Sequence, residues 1–400
     1  LFYELACDLS SELALLDAVP EKRLMPTTDV LVIGAGIAGA SVAYELVPFA
    51  RVILLERERQ PGYHTTGRSA AVFSPTDGNR VIRALTSASR AFYEARAGGL
   101  AEQPVMTPRG ELIIAREDQM AALDAYHAAS IGQVSALQRL DSHQACEKVP
   151  ILRADYIAGA IHDPGTMDLD VAAIHQGYLK GMRSRGGTLI TDAEVAAIAP
   201  DGPPWQVETR NATYQAAVLV DAAGAWADQL AAMAGVRPLG LVPKRRTAIL
   251  MEPSAAADPA WPIVFDVGEQ FYFKPESGQL LGSPADQTPM PPCDVQPDEL
   301  DIALAVDRIE RATTIDVRRI THKWAGLRTF AADSTPVVGM DQPGFFWLAG
   351  QGGYGIQTAP AMARAATSLL IEGVLPDDLT AQGLKPEDLS PARFRPAAEG

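Results

Sequence analysis

The stretch that most narrows what this chain can fold into is Asp29-Val30-Leu31-Val32-Ile33-Gly34-Ala35-Gly36-Ile37-Ala38-Gly39, continued by Ala40-Ser41-Val42-Ala43. A short apolar run rich in β-branched residues breaks at a glycine and resumes as small residues of good helix propensity. That pattern predicts strand, tight turn and helix. Gly34, Gly36 and Gly39 fit the G-x-G-x-x-G dinucleotide fingerprint, and each glycine has a mechanical reason. Gly34 permits the turn, Gly36 lets a pyrophosphate approach the backbone, and Gly39 lets helix and strand pack closely. The phosphates then meet the free N–H groups and the positive end of the following helix.

Alone, the fingerprint also fits a glycine-rich turn in an ordinary βαβ unit. It gains weight from Arg51-Val52-Ile53-Leu54-Leu55-Glu56, which reads as a second strand ending in an acid, 56 − 34 = 22 residues after the first glycine. An acid at that spacing suits the ribose hydroxyls of an adenosine.

The chain has 400 residues, 47% hydrophobic and 21% charged, enough for two or three globular domains with ample core. Its formal net charge of −15 makes nucleic acid and anionic membrane surfaces poor partners. No apolar run reaches the ~20 residues of a membrane span. Cys7, Cys146 and Cys293 are odd in number and far apart, which argues for a reducing compartment and against a disulfide framework or zinc site. The expected location is therefore cytoplasmic, with peripheral attachment to the inner membrane left open. Residues 1–24 carry Glu4, Asp8, Glu12 and Asp17 and lack a basic start before an apolar core, so they do not read as a secretory signal. Met25 stands just before the first strand as a candidate natural start, and the extension is assigned no function.

Further along, residues 63–71 (Tyr-His-Thr-Thr-Gly-Arg-Ser-Ala-Ala) lack periodicity and form a polar loop that suits an extended cofactor or an ordinary surface. Helical spacing of apolar residues runs from Asn79 to Arg96, and a short strand starts at Glu111. Asp170 reads as the cap of a helix ending near Gly186-Gly187. Residues 216–220 run into Asp221-Ala222-Ala223-Gly224-Ala225-Trp226, another strand-to-helix turn where small residues let backbone approach a ligand. Strands are expected at 248–251, 263–266, 270–274, 280–282 and 321–327, and a helix over 300–314. The run 350–358, with glycines at 350, 352, 353 and 355, opens a helix and offers a second backbone anion site. Nucleotide-binding elements at both chain ends predict a discontinuous first domain with a strand-rich insertion. The division drawn is 25–80, 140–240 and 325–400 for the first, and 81–139 and 241–324 for the second.

Residues 32–39, 60–71, 221–226, 243–246, 324–328 and 351–358 together resemble the FAD-dependent D-amino acid oxidase superfamily, alongside sarcosine and glycine oxidases. Within it they are most similar to the bacterial D-arginine dehydrogenases, over residues 28–396. Trp324-Ala325-Gly326 before Leu327-Arg328, joined to the glycine run, is more specific than the fingerprint. The resemblance implies an α/β and α+β chain, with a Rossmann-like FAD domain of the glutathione-reductase type and a strand-rich substrate domain. Around the cofactor it implies Gly34, Gly36, Ala38, Gly39, Glu56, Arg57, Thr65, Thr66, Gly67, Arg68, Ser69, Ala70, Ala71, Val72, Val195, Gly224, Gly352, Gly353, Tyr354, Gly355, Ile356 and Gln357. No cysteine lies in the 327–330 region where some relatives tether flavin, so FAD is expected to be non-covalent. Where sarcosine oxidases carry an oxygen-activating lysine in Gly-x-Lys-x-Gly, residues 278–282 read Gly-Gln-Leu-Leu-Gly, which favours a dehydrogenase over an oxidase.

Arg246 and Arg328 lie beside strands among small or apolar residues, and either guanidinium can hold a carboxylate by a two-pronged fork. Ordinary structural ion pairs are the alternative for both. The resemblance makes Arg328 the primary carboxylate clamp, with Arg246 and Tyr272 orienting the same group and Gly353 beside them. It also makes Glu111 the partner of a substrate guanidinium. Two departures stand out: Asp77 replaces a tyrosine that closes over substrate, and Val72 replaces a histidine. The implied reaction is hydride loss from Cα to flavin N5 as the amine becomes an imine, which water hydrolyses to a 2-oxo acid and ammonia. The implied partners are a small-molecule D-amino acid and an acceptor other than oxygen, such as a quinone, for a monomer or weak homo-oligomer. A peroxide-releasing oxidase of D-amino acids or secondary amines, a hydroxy-acid dehydrogenase and a non-catalytic flavoprotein subunit stay open. The six histidines do not cluster at metal-ligand spacing, and no metal is expected.

Overall fold

The computed structural model describes residues 23–24, 27–131 and 136–395. Most of the extension 1–24, with Cys7, and Met25 lie outside the described residues. The first sheet has nine strands: β1 (Arg23–Leu24), β2 (Thr28–Ile33), β3 (Val52–Leu55), β10 (Thr188–Ile190), β11 (Val195–Ile198), β12 (Trp205–Thr209), β13 (Ala212–Asp221), β19 (Val337–Gln342) and β20 (Phe345–Ala349). Its spine, β10-β3-β2-β13, is parallel, and β20 adds in parallel to the end of β13. Val30, Leu31, Val32 and Ile33 are all buried, as a strand covered on both faces requires. On one face pack α1 (Ile37–Leu46), α2 (Arg80–Glu94), α5 (Val171–Ser184) and α8 (Gly355–Ile371), closing a core with Tyr93, Tyr178 and Phe346. On the other lies a core of Trp205, Phe345 and Trp347 beneath α6 (Ala227–Met233).

The second sheet has eight strands in the order β18 (Val317–Phe330), β14 (Val242–Pro253), β17 (Gln279–Ser283), β16 (Tyr272–Glu276), β15 (Ile263–Asp266), β6 (Glu111–Ala115), β8 (Gly159–Asp163) and β7 (Gln138–Leu140). One face, with Leu112, Ile114, Ile249, Val264 and Phe273, packs with α7 (Glu299–Ala312). Register pairs place Arg328, Lys244, Arg246, Ser283, Tyr272, Phe265, Glu111 and Asp163 together on the opposite face. The helices α3 (Met120–Ser130) and α4 (Ser142–Lys148) flank this sheet, and β4 (Val72–Phe73), β9 (Met167–Leu169) and β5 (Met106–Pro108) form a three-stranded bridge beside it. An ion triad ties that bridge down: Asp168 on β9 meets Arg109 Nη2 at 2.6 Å and Lys274 Nζ at 2.8 Å.

Two sequence expectations change here. Residues 138–163, divided at 140 in the sequence reading, pair within the second sheet, because β8 sits directly against β6. The strands expected at 248–251 and 321–327 run much longer, over β14 and β18, whose polar residues mask the apolar signal.

The glycine turn shows the steric reasoning directly. Gly34 has φ +103°, a region L side chains rarely adopt, and a Cβ on Gly39 would lie 1.8 Å from the Gly34 carbonyl oxygen. A Cβ on Gly36 meets only Thr66 Oγ1, at 3.1 Å. Gly39→Ala should therefore lower stability by about 2–3 kcal/mol or more in urea unfolding, and Gly36→Ala by well under half as much.

Candidate active site between the two sheets

A cleft of about 450 Å³ runs along the C-terminal ends of β2, β3 and β13 and reaches the second sheet at Leu327 and Arg328. Of the residues assigned to a cofactor, Gly34, Gly36, Ala38, Glu56, Arg57, Thr65, Thr66, Ser69, Val195, Gly224, Gly352, Gly353, Gly355 and Ile356 line it. Glu56 is held at the end of β3 by two backbone amides, Oε2 accepting from Ala35 N at 2.8 Å and Oε1 from Glu58 N at 3.0 Å. A carboxylate has lone pairs left for hydroxyl donors. Gly36 is the N-cap of α1, and the amide of Ile37 donates to Thr66 Oγ1 at 3.0 Å. The chain at Gly352–Gly355 brings the start of α8 to the same cleft, so two helix N-termini face it.

The remaining cofactor candidates do not line the cleft. Gly39 is packed beneath Gly34, and Gly67 N donates to Gly62 O at 2.7 Å. Arg68 turns its guanidinium to Ala325 O, Val295 O and Asp294, clamping the second sheet. Ala70 and Val72 pack against the cluster of Tyr272 and Leu281, and Ala71 packs against the α1/α8 core. Tyr354 caps α8, and Gln357 Oε1 accepts from Ser74 N at 3.0 Å. Sequence reasoning missed the aromatic mouth: Trp226 and His64 line the cleft with ring centroids 4.7 Å apart, and Arg57 sits 4.9 Å over Trp226 while pairing with Glu194. Trp226 already stood at the end of the small-residue turn; only its ring's direction was illegible.

At the second sheet, Arg328 faces the cleft with Nε and Nη2 buried and unpartnered among the described residues. Gly353 makes this approach possible, since a Cβ there would lie 2.9 Å from Arg328 Nη1. Burial, with the neighbouring Arg246 guanidinium, pulls Arg328 down to about 10. Arg246 lies 5.7 Å over the Tyr272 ring and donates from Nε to Asp286 O at 3.1 Å. Asp77 is exposed, accepts from Gly78 N at 2.7 Å and lies within electrostatic range of both Arg328 and Glu111. Glu269, unremarked in the sequence, joins the same field from the tip of the β15–β16 turn.

Glu111 is 4% exposed and accepts from Thr166 Oγ1 at 3.1 Å and from Tyr126 OH at 3.4 Å. Tyr126 continues to Thr76 and Ser74, so hydroxyls link Glu111 to the loop carrying Asp77. Burial, then Asp77 and Asp163, push Glu111 up to about 8. Leu280 points into the α7 core, and the leucine on the site's face is Leu281. Of the lysines on that face, Lys274 is committed to Asp168, and Lys244 lies 5.0 Å over the Phe330 ring. Among the described residues no group of His, Cys, Asp and Glu could hold a metal, Cys146 and Cys293 do not line the cleft, and no helix is long and apolar enough to cross a membrane.

The model of the DAO family, FAD dependent oxidoreductase, matches residues 29–369. A glycine oxidase of Geobacillus kaustophilus is 24% identical over 376 residues, 90% of this chain and 96% of that protein. Among solved structures, L-proline dehydrogenase from P. horikoshii superposes with a TM-score of 0.78 at 20% identity, covering 93% of this chain and 98% of that one. The L-α-glycerophosphate oxidase from Mycoplasma pneumoniae, with FAD bound, gives 0.76 at 20% identity over 86% and 95%. At such identities the structural likeness speaks for the fold. The cofactor is FAD, and the cleft suits it: glycine-lined, with two helix N-termini and an acid at the second strand.

Because Glu111 binds its proton more tightly folded than the ordinary 4.5, the folded chain keeps a proton between about pH 4.5 and 8 that the unfolded chain releases. Its stability contribution is present below that window and is lost as pH rises through 8. Glu111→Gln should therefore raise the melting temperature relative to the parent at pH 9, and much less at pH 5.

Proposed function

We propose that this chain, which belongs to the DAO family of FAD-dependent oxidoreductases, oxidises D-amino acids at the α-carbon to 2-oxo acids and ammonia, with a leaning to D-arginine and D-lysine. The observation that carries the reading is the pair of unpartnered Arg328 donors at the cofactor cleft. A buried guanidinium without a counter-ion is costly, and a carboxylate answers both the charge and the forked geometry. Arg246 adds a second positive charge on the same sheet face, and Tyr272 lies between it and the strands leading to Glu111. Bound FAD supplies the two-electron acceptor. Arg328 fixes the substrate carboxylate, Gly353 leaves room for it, and the Cα–H bond is oriented toward the cleft by that two-point hold.

The basic side chain is supported by the opposite end of the site. Glu111 and Asp77 lie beyond Arg328 in one run of electrostatic neighbours, so ionisable acids follow the guanidinium groups along the sheet floor. Such a gradient suits a molecule with an anion at one end and a cation at the other. An acceptor other than oxygen stays part of the proposal, although Leu280, the position read against the oxidase lysine, points into the α7 core and not at the site. The proposal keeps two domains, with residues 140–163 and 325–330 moved to the second, and a monomer or weak homo-oligomer.

Anaerobic mixing with D-arginine or D-lysine should bleach the flavin absorbance, L-arginine should not, and aerobic turnover should consume little oxygen. A yellow protein unaffected by every D-amino acid would sink the reading. Arg328→Met should lower kcat/KM about 100-fold or more, chiefly through KM, with Arg328→Lys restoring little of it because a point charge lacks the fork.

A further inference from the structure

Glu111 does not stand alone at its end of the site. The antiparallel register sets it directly across from Asp163 on β8, and the two carboxyl side chains share the face that carries Tyr272 and Arg328. Both are buried, at 4% and 2% exposure. Directly opposed residues stand about 4.5–5.5 Å apart at Cβ, and like charges there are destabilising. Two acids so placed must hold protons or share a cation.

Their hydrogen bonding differs. Both Glu111 oxygens are met by hydroxyls, from Thr166 and Tyr126. Asp163 Oδ1 accepts from Gly165 N at 2.7 Å, closing the turn after β8, but Oδ2 is buried with no donor among the described residues. The turn accounts for one oxygen only. A buried acceptor left unmet costs about 1–3 kcal/mol, and what it lacks is an N–H or O–H.

We propose that Asp163 is the second carboxyl of a socket for the cationic end of the substrate side chain, receiving one arm of a guanidinium whose other arm lies on Glu111. The inference rests on the reading of this site as one for D-amino acids with basic side chains. A guanidinium carries five N–H donors in a rigid plane and serves two carboxyls at once, whereas an ammonium serves them from a single point. The socket therefore selects D-arginine over D-lysine. The groups facing the pair are Asp77 from the loop after β4, Tyr126 from α3 and Arg90 from α2. Arg90 is shared with Glu94 and the Phe73 ring, so the incoming cation is the principal counter-charge. Burial with Asp77 and Asp163 nearby raises Glu111 to about 8, and burial raises Asp163 against the pull of the Gly165 amide and Arg90, so an entering cation favours release of a proton.

The test is Asp163→Asn in the FAD-loaded enzyme. Asparagine keeps the carbonyl that accepts from Gly165 N, so flavin content should match the parent and the melting temperature should not fall. KM for D-arginine should rise 10- to 100-fold at little change in kcat, while kcat/KM for the neutral D-norleucine stays within threefold. The preference for D-arginine over D-lysine should shrink. The midpoint of the pH dependence of KM for D-arginine should also move down, since Glu111 loses a like-charged neighbour; a merely structural role would leave it in place. Equal losses for D-arginine and D-norleucine, or no change for either, overturn the proposal while leaving the broader reading intact. A parent enzyme reduced by neutral D-amino acids and not by D-arginine overturns the basic-substrate reading and this inference together.

Discussion

A slip of one residue between β14 and β18 would turn the Arg328 guanidinium away from Gly353 and into the layer where Ala325 and Leu327 pack. That register is the constraint on which the site rests. It places Lys244, Arg246 and Arg328 on one surface of the second sheet, and the continuing pairs carry the same surface across to Glu111 and Asp163. The opposite surface pins the register, because Ile249, Phe273, Val264 and Leu112 must all reach the core beside α7. Substrate-side chemistry is thus held in place by apolar residues that never touch it.

The first sheet contributes a different resource. Its parallel strands end together, so α1 and α8 aim their N-termini at one cleft, and the glycine turn brings backbone close enough to use them. The two sheets differ by charge type: the first offers partial backbone charges to the cleft, and the second offers full side-chain charges. Arg328 and Gly353 form the seam between them, one from each sheet's chemistry, with no room for a methyl group where they meet.

How much of this was readable follows from distance along the chain. Gly34, Gly36, Gly39 and Glu56 act within one βαβ unit, and their spacing alone carried the assignment. Arg246 and Arg328 could be picked out as residues, but their meeting depends on pairing strands far apart in sequence. The run Lys244-Arg245-Arg246 hid the start of its own strand, since the polar residues the site needs erase the alternation that marks a strand. Arg68 shows the converse. It lies in a loop that serves the cofactor, yet its side chain leaves that loop for three partners on the second sheet. Asp163 stands before Pro164 and Gly165, where the local sequence signals only a turn; its position opposite Glu111 required the sheet.

The bond from Ser74 N to Gln357 Oε1 joins the first turn of α8 to the loop that bears Asp77. Since the start of α8 also forms the cofactor wall, a single side-chain bond couples that wall to the loop carrying Asp77, so a shift of the helix start is felt at the loop.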